Sequence, residues 1–246
     1  MPDYDGFSSS YDELTGDVPY DTLTEWLINL FETYDKVPSL MLDLACGTGN
    51  FSYRFANKGI DVIGVDPSAG MLAKAMQKLP TGSDNPLFLN QSAQDLELFG
   101  TVDGAICMLD SLNHITSESE LLTAFKRVSL FLEPERLFIF DMNTVYKHKT
   151  VLADKTYIKE SEDCFCVWQN ECDNERVNVY LDLFERQPNG LYKRSFEEFS
   201  EQAYSTSKIK DLLTQSGFKA EKTFDCRTGQ EVTETTQRIL IVARKL

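Results

Sequence analysis

The chain has 246 residues, 42% of them hydrophobic and 26% charged, and its 39 acidic against 24 basic side chains leave a formal net charge of −15. A chain of this length buries a sizeable core in one large domain or one and a half, and the composition excludes intrinsic disorder. The acidic balance disfavours nucleic acid as a partner, because phosphate binding needs clustered Lys and Arg. The opening residues are polar and acidic, unlike a signal peptide, and no apolar run approaches the roughly 20 residues that span a bilayer, so a cytoplasmic enzyme with no membrane partner is expected. Six cysteines at no common zinc spacing and only two histidines lead to the expectation of reduced thiols and no metal.

In chain order, residues 1–20 carry Tyr4, Phe7 and Tyr11 among small polar residues and read as a lid or packing segment. A helix is predicted over 21–34, where Leu23, Trp26, Leu27, Leu30 and Tyr34 share one face. Residues 40–44 form a short buried strand that runs into a glycine-rich loop, after which Phe51, Phe55 and Ala56 open a helix. A second strand at 61–66 precedes a helix carrying Met71, Leu72, Ala75, Met76 and Leu79, and residues 80–86 are a turn-rich break. A weak third strand at 87–89 and a stronger fourth at 102–109 follow. Leu121, Leu122, Phe125, Val128, Phe131 and Leu132 mark an amphipathic helix, and 137–141 is an apolar strand. Short apolar strands alternating with helices predict a parallel sheet covered on both faces, with ligands collecting at the strands' carboxyl ends.

From 156 to 199 the pattern changes to alternating segments at 165–168, 177–184 and 192–196, the last two separated by an Asn-Gly turn signal at Asn189 and Gly190. This predicts an inserted antiparallel sheet of three or four strands packed over the strand ends. Its aromatics, Trp168 among them, read as the face that glues the insertion to its host, with the wall of an acceptor pocket as the alternative. Ile209, Leu212 and Leu213 then mark a helix, and strands at 220–225 and 237–243 close the main sheet as an antiparallel hairpin.

The chemistry concentrates in two places. Gly47 and Gly49, between a strand and a helix, permit a tight turn and close approach of a ligand to the backbone. Asp66 ends the next strand seventeen residues beyond Gly49, where a carboxylate accepts ribose hydroxyls and disfavours a phosphorylated ribose. Together they point to an adenosine-containing ligand. The absence of a third fingerprint glycine, and a final antiparallel strand, weigh against a nicotinamide cofactor.

The stretch Leu42, Asp43, Leu44, Ala45, Cys46, Gly47, Thr48, Gly49, then Gly64, Val65, Asp66, Pro67, Ser68 with Met71 and Leu72, resembles the first two motifs of class I S-adenosylmethionine-dependent methyltransferases. Residues 103–107 and 109–114 are similar to that family's fourth-strand motif, and residues 11–14 and 18–20, with the insertion, to a bacterial branch of small methyltransferases. The resemblance implies a Rossmann-like α/β fold with a seven-stranded sheet whose last strand is antiparallel, built from residues 21–155 and 200–246 with 156–199 inserted. It implies that Asp43 and the loop Ala45, Cys46, Gly47, Thr48, Gly49 hold the methionine part of S-adenosylmethionine and Asp66 the ribose. Pro67, Ser68 and Met71 would border the adenine, and Leu109 and Asp110 would face the sulfonium. Where the family often has an acidic residue for the adenine amino group, this chain has Ser92 beside Ala93, with Asp95 three positions on.

If the acceptor needs deprotonation, histidine is the residue type that suits a base at neutral pH, which makes His114 the candidate, and Asp110 and Asn113 could orient the acceptor. His148, in a charged connection, reads as solvated surface, and Arg238 as a surface or ion-pair residue opening the last strand. The expected activity is methyl transfer to a small molecule by a monomer or homodimer. Protein or RNA acceptors, and a regulatory protein that binds the cofactor without turnover, are the alternatives.

Overall fold

The computed structural model describes residues 11–78 and 85–246; Tyr4, Phe7, Leu79 and residues 80–84 of the predicted break lie outside the described residues. α1 (Tyr11–Leu14) and α2 (Tyr20–Tyr34) precede the alternating strands and helices β1 (Leu40–Leu44), α3 (Asn50–Ala56), β2 (Asp61–Asp66), α4 (Ala69–Gln77), β3 (Leu87–Asn90), β4 (Gly104–Cys107), α5 (Glu118–Phe131) and β5 (Leu137–Asn143). Four strands, β6 (Thr156–Glu160), β7 (Cys164–Asp173), β8 (Arg176–Arg186) and β9 (Tyr192–Gln202), then precede α6 (Thr206–Gln215), β10 (Phe218–Asp225) and β11 (Arg238–Lys245).

The main sheet has the order β10-β11-β5-β4-β1-β2-β3. Its pairings are parallel except at β11, which runs antiparallel to both β5 and β10. Both faces are apolar, as a parallel sheet covered twice requires. Leu42 and Leu44 pack with Phe125 of α5 and Leu213 of α6 on one face, and Met41 packs with Phe31 of α2 and Phe55 of α3 on the other.

The fourth strand is shorter than the apolar run predicts. Val102 makes only an isolated bridge to Leu132, and Leu109 and Asp110 turn left-handed with φ of 61° and 53°, which ends the extended chain. A four-residue strand is therefore all that pairs.

The insertion is a four-stranded antiparallel sheet in the order β6-β7-β8-β9. Strict alternation buries Val177, Val179, Leu181 and Leu183 of β8 on one face. That face packs with Leu14 of α1 and Leu152, so the short first helix lies under the second sheet. Among the described residues no helix is long and apolar enough to cross a membrane.

Candidate functional site

The site grows from the loop after β1. Ala45, Gly47 and Gly49 all take left-handed φ, at 57°, 55° and 76°, so the chain reverses within five residues and α3 starts at Asn50. A Cβ on Gly49 would meet Phe88 Cζ at 2.9 Å, whereas a Cβ on Gly47 would meet nothing within 4 Å. Gly49 thus serves packing, while Gly47 faces open space.

Asp66 ties this loop to β2: its carboxylate accepts the backbone N–H groups of Gly47 and Ser68, each at 2.9 Å. Burial pushes its pKa up. Each carboxylate oxygen keeps a further lone pair. Asp43, 2% exposed, accepts the Ser52 hydroxyl at 2.5 Å. Burial, partly offset by that bond and reinforced by the nearby Asp66, raises it to about 7.

α1 closes the loop from outside. Asp12 accepts from Thr48 Oγ1 at 2.5 Å and from Asn50 Nδ2 at 2.8 Å, and pairs with Lys78 at 2.5 Å. Against a partial burial, these bonds hold its pKa below the usual carboxylate range.

Beside the loop lies a cavity of about 290 Å³, near the lower end of small-molecule sites. Its floor is Ala45, Gly47, Asp66, Pro67 and Met71, its far end Leu109, Asp110, His114, Lys147 and Arg238, and its roof Trp168, Leu181, Phe199 and Glu201 of the second sheet. Tyr11 borders it and also a small inner cavity lined by Asp43, Cys46 and Thr48.

A buried polar cluster holds the far end. Asp141, on β5 and fully buried, accepts the N–H of Leu109 at 3.1 Å and of Asp110 at 2.5 Å, the two residues in left-handed conformation. Such strain persists only where surroundings over-determine it, and here a carboxylate supplies that determination. Arg238 Nη2 donates to Asp110 Oδ1 at 2.8 Å and Nη1 lies 3.7 Å from Asp141. Against its burial, Asp110 is held down to about 2 by Arg238 and Lys147, while burial outweighs the more distant guanidinium and raises Asp141. Asn143 is the hub: Lys147 Nζ donates to its Oδ1 at 2.7 Å, and its amide donates to Asp110 Oδ2 and, at 3.2 Å, to Glu201 Oε2.

Of the residues singled out in the sequence, Asp43, Ala45, Cys46, Gly47, Thr48, Asp66, Pro67, Met71, Leu109, Asp110 and His114 border the two cavities. Others lie outside their linings. Ser68 caps α4, accepting the Met71 N–H at 3.1 Å. Ser92 donates to Asp95 at 2.7 Å, and Ala93 is in the core. Asn113 is fully buried, its amide donating to Gln202 O at 2.9 Å and its Oδ1 accepting from Asn143 N at 2.9 Å. His114 packs edge-on against Phe199, ring centroids 5.0 Å apart.

The reading of His148 as solvated is corrected. It is fully buried, because the charged connection winds into a π turn, Lys147–Leu152, that turns the ring inward under the second sheet. Arg238 is an ion-pair residue, as one of its two readings had it, but sits in the cavity wall rather than on the surface. Sequence reasoning missed Asp141, Asn143, Lys147 and Glu201. A signal existed for Asp141, a carboxylate directly after four apolar residues, Leu137, Phe138, Ile139 and Phe140, at the carboxyl end where ligands collect.

Residues 41–135 match the family described as a methyltransferase domain. Over 244 residues the chain is 32% identical to the methyltransferase-family protein YqeM of Bacillus subtilis (strain 168), covering 98% of this chain and 97% of the relative. The crystal structure of an S-adenosylmethionine-dependent methyltransferase from Clostridium acetobutylicum superposes with a TM-score of 0.89 at 30% identity, covering 98% of both chains. Over 146 residues, 56% of this chain and 52% of the relative, this chain is 30% identical to the glycine/sarcosine N-methyltransferase of Halorhodospira halochloris.

Proposed function

This chain belongs to the class I S-adenosylmethionine-dependent methyltransferases, and from that premise we propose that its acceptor is a small molecule, methylated in the cavity between the glycine-rich loop and the second sheet. The supporting observation is the roof. Trp168, Leu181, Phe199 and Glu201 cover the cavity from the side of the second sheet, a cover that suits a compact ligand better than a protein loop or an RNA strand. A similarity over about half the chain to a glycine/sarcosine N-methyltransferase points the same way.

The residues present fit S-adenosylmethionine. The space in front of Gly47, which a Cβ would fill, suits its methionine backbone. The free lone pairs of Asp66 suit the ribose hydroxyls, and Pro67 and Met71 offer apolar surface for the adenine. Asp43 and the loop residues Ala45, Cys46, Gly47 and Thr48 would surround the methionine part, and Leu109 and Asp110 the sulfonium end. When bound, the cofactor supplies an electrophilic methyl group for in-line displacement. The chain's own residues orient the acceptor and exclude water. Asp141 holds the Leu109–Asp110 turn in register, and the second sheet, residues 156–202, and the first segment, of which α1 is described, act as covers over the strand ends.

The test is a methyl-label assay of the purified protein with a cell extract separated into a fraction below about 1 kDa and a macromolecular fraction. Label appearing in the small-molecule fraction with matching S-adenosylhomocysteine release is expected; label confined to protein or RNA refutes the small-molecule reading.

A further inference from the structure

Resting on that reading, with an acceptor that reacts through an N–H or O–H group, we propose that Glu201 takes the acceptor's proton and that His148 positions and charges it for the task. His148 Nδ1 lies 2.8 Å from the carbonyl oxygen of Glu175. A carbonyl only accepts, so Nδ1 carries a hydrogen and donates it. Nε2 is buried without a hydrogen-bond partner and faces Glu201 Oε2 at 3.5 Å. Two unprotonated atoms facing each other in a buried site would repel, with little solvent to relieve them. One proton therefore resides between imidazole and carboxylate.

The surroundings decide which partner holds it. The cations Lys147 and Arg238 face Glu201, and from β5 the neutral Asn143 amide donates to it and to Asp110. On the outer side Lys149 is already paired with the Glu175 carboxylate at 2.6 Å. Arg238 is matched by Asp110 and Asp141, and the Asn143 amide donates to the same Oε2 that faces His148, so that oxygen acts as acceptor and the proton sits on His148 Nε2. Glu201 is 4% exposed, and it borders the cavity across from Asp110 and His114.

The proton step balances simply. The acceptor's N–H or O–H bond breaks, its electron pair stays on the acceptor atom as the nucleophile, and the proton forms an O–H bond to Glu201. His148, a positioning residue, keeps the carboxylate ionised until then. His114, which packs on Phe199, is not needed for this step.

The chain has two histidines, so ¹⁵N spectra of the full-length protein saturated with S-adenosylhomocysteine resolve both rings, with H114N assigning His148. The expected result is a ring that carries a hydrogen on Nδ1 and whose Nε2 resonance moves in E201Q. A ring protonated at Nε2 alone, or an Nε2 resonance that E201Q leaves in place, overturns the pairing, and this decision needs no acceptor. With the acceptor found by labelling, E201Q should lose about 100-fold or more in kcat with homocysteine-cofactor affinity unchanged. E201D should recover part of the loss, and H148Q should shift the acidic limb of the pH profile. Wild-type kcat in E201Q overturns the base. If E201Q does not fold, E201A carries the histidine spectrum and E201D and H148Q carry the kinetic readout. Should the small-molecule reading fail, label moves to macromolecules while the histidine spectra stay as stated, so the two failures are distinguishable.

Discussion

Replacing each loop glycine with alanine separates cofactor binding from folding. Both Gly47 and Gly49 have left-handed φ, at 55° and 76°, and alanine in that region costs about 1–2 kcal/mol. For G47A that is the whole structural cost, because its Cβ meets no atom within 4 Å. For G49A the Cβ lands 2.9 Å from Phe88 Cζ, 3.2 Å from Tyr53 and 3.3 Å from Ala75, and such overpacking adds about 1–3 kcal/mol. G49A is therefore expected to lose roughly 2–5 kcal/mol of stability and G47A about 1–2 kcal/mol. The methyl of G47A projects into the space assigned to the cofactor, so its affinity for S-adenosylhomocysteine should fall at least about tenfold, or 1.4 kcal/mol. Denaturant unfolding of the apo proteins and calorimetric titration measure the two quantities independently. Equal unfolding shifts for the two variants, or wild-type cofactor affinity in G47A, would refute the assignment of one glycine to packing and the other to the ligand.

Three further outcomes are expected. D66N keeps one acceptor but sets an amide against a backbone N–H. Cofactor affinity should drop by about 1.5–3 kcal/mol, the worth of a hydrogen bond to a charged group. Unchanged affinity in the same titration removes Asp66 from the ribose role, while a small stability loss reflects the Gly47 and Ser68 bonds. D141N leaves either Leu109 N–H or Asp110 N–H facing a donor and strips Arg238 of a neighbouring charge, so about 2–4 kcal/mol of stability should go; a change under about 0.5 kcal/mol would show that the strained turn holds itself. The third concerns pH. The folded-state pKa of Asp43 is raised from 3.8 to about 7, so between those values the folded apo protein binds a proton that the unfolded chain has released. This group's contribution is greatest below pH 3.8 and is lost as pH rises towards 7, with a slope of up to about 1.4 kcal/mol per pH unit. Unfolding curves across that window should differ in slope between wild type and D43N, and parallel curves would refute a protonated Asp43.

The alternation of strands and helices, the antiparallel last strand and the inserted sheet were legible in the sequence because each rests on local chemistry. Alternation over eight residues selects one face of β8, and glycine beside a buried strand end permits the left-handed turn whatever lies far away. The same locality explains why Asp43, Gly47 and Asp66 were found: strands β1 and β2 are consecutive in the chain and adjacent in the sheet, at a spacing the residues themselves display.

At the far end of the cavity the sequence singled out Asp110 and His114 but not the groups that surround them, because no local pattern encodes those partners. Asp110, Asp141, Asn143, Glu201 and Arg238 come from the ends of β4, β5, β9 and β11, and Arg238 reaches Asp110 across 128 positions of sequence. They meet because β11 inserts antiparallel between β5 and β10 and because β9 brings Glu201 down onto the same corner. For the same reason His148, polar in its own neighbourhood, is drawn inside by the second sheet that follows it. The sequence by itself determined the fold class and picked out the residues that border the glycine-rich end of the cavities, where adjacent elements carry the signal. Only the tertiary structure decided the charge arrangement at the acceptor half, since buried ion pairs and their pKa values depend on which distant groups share a low-dielectric space.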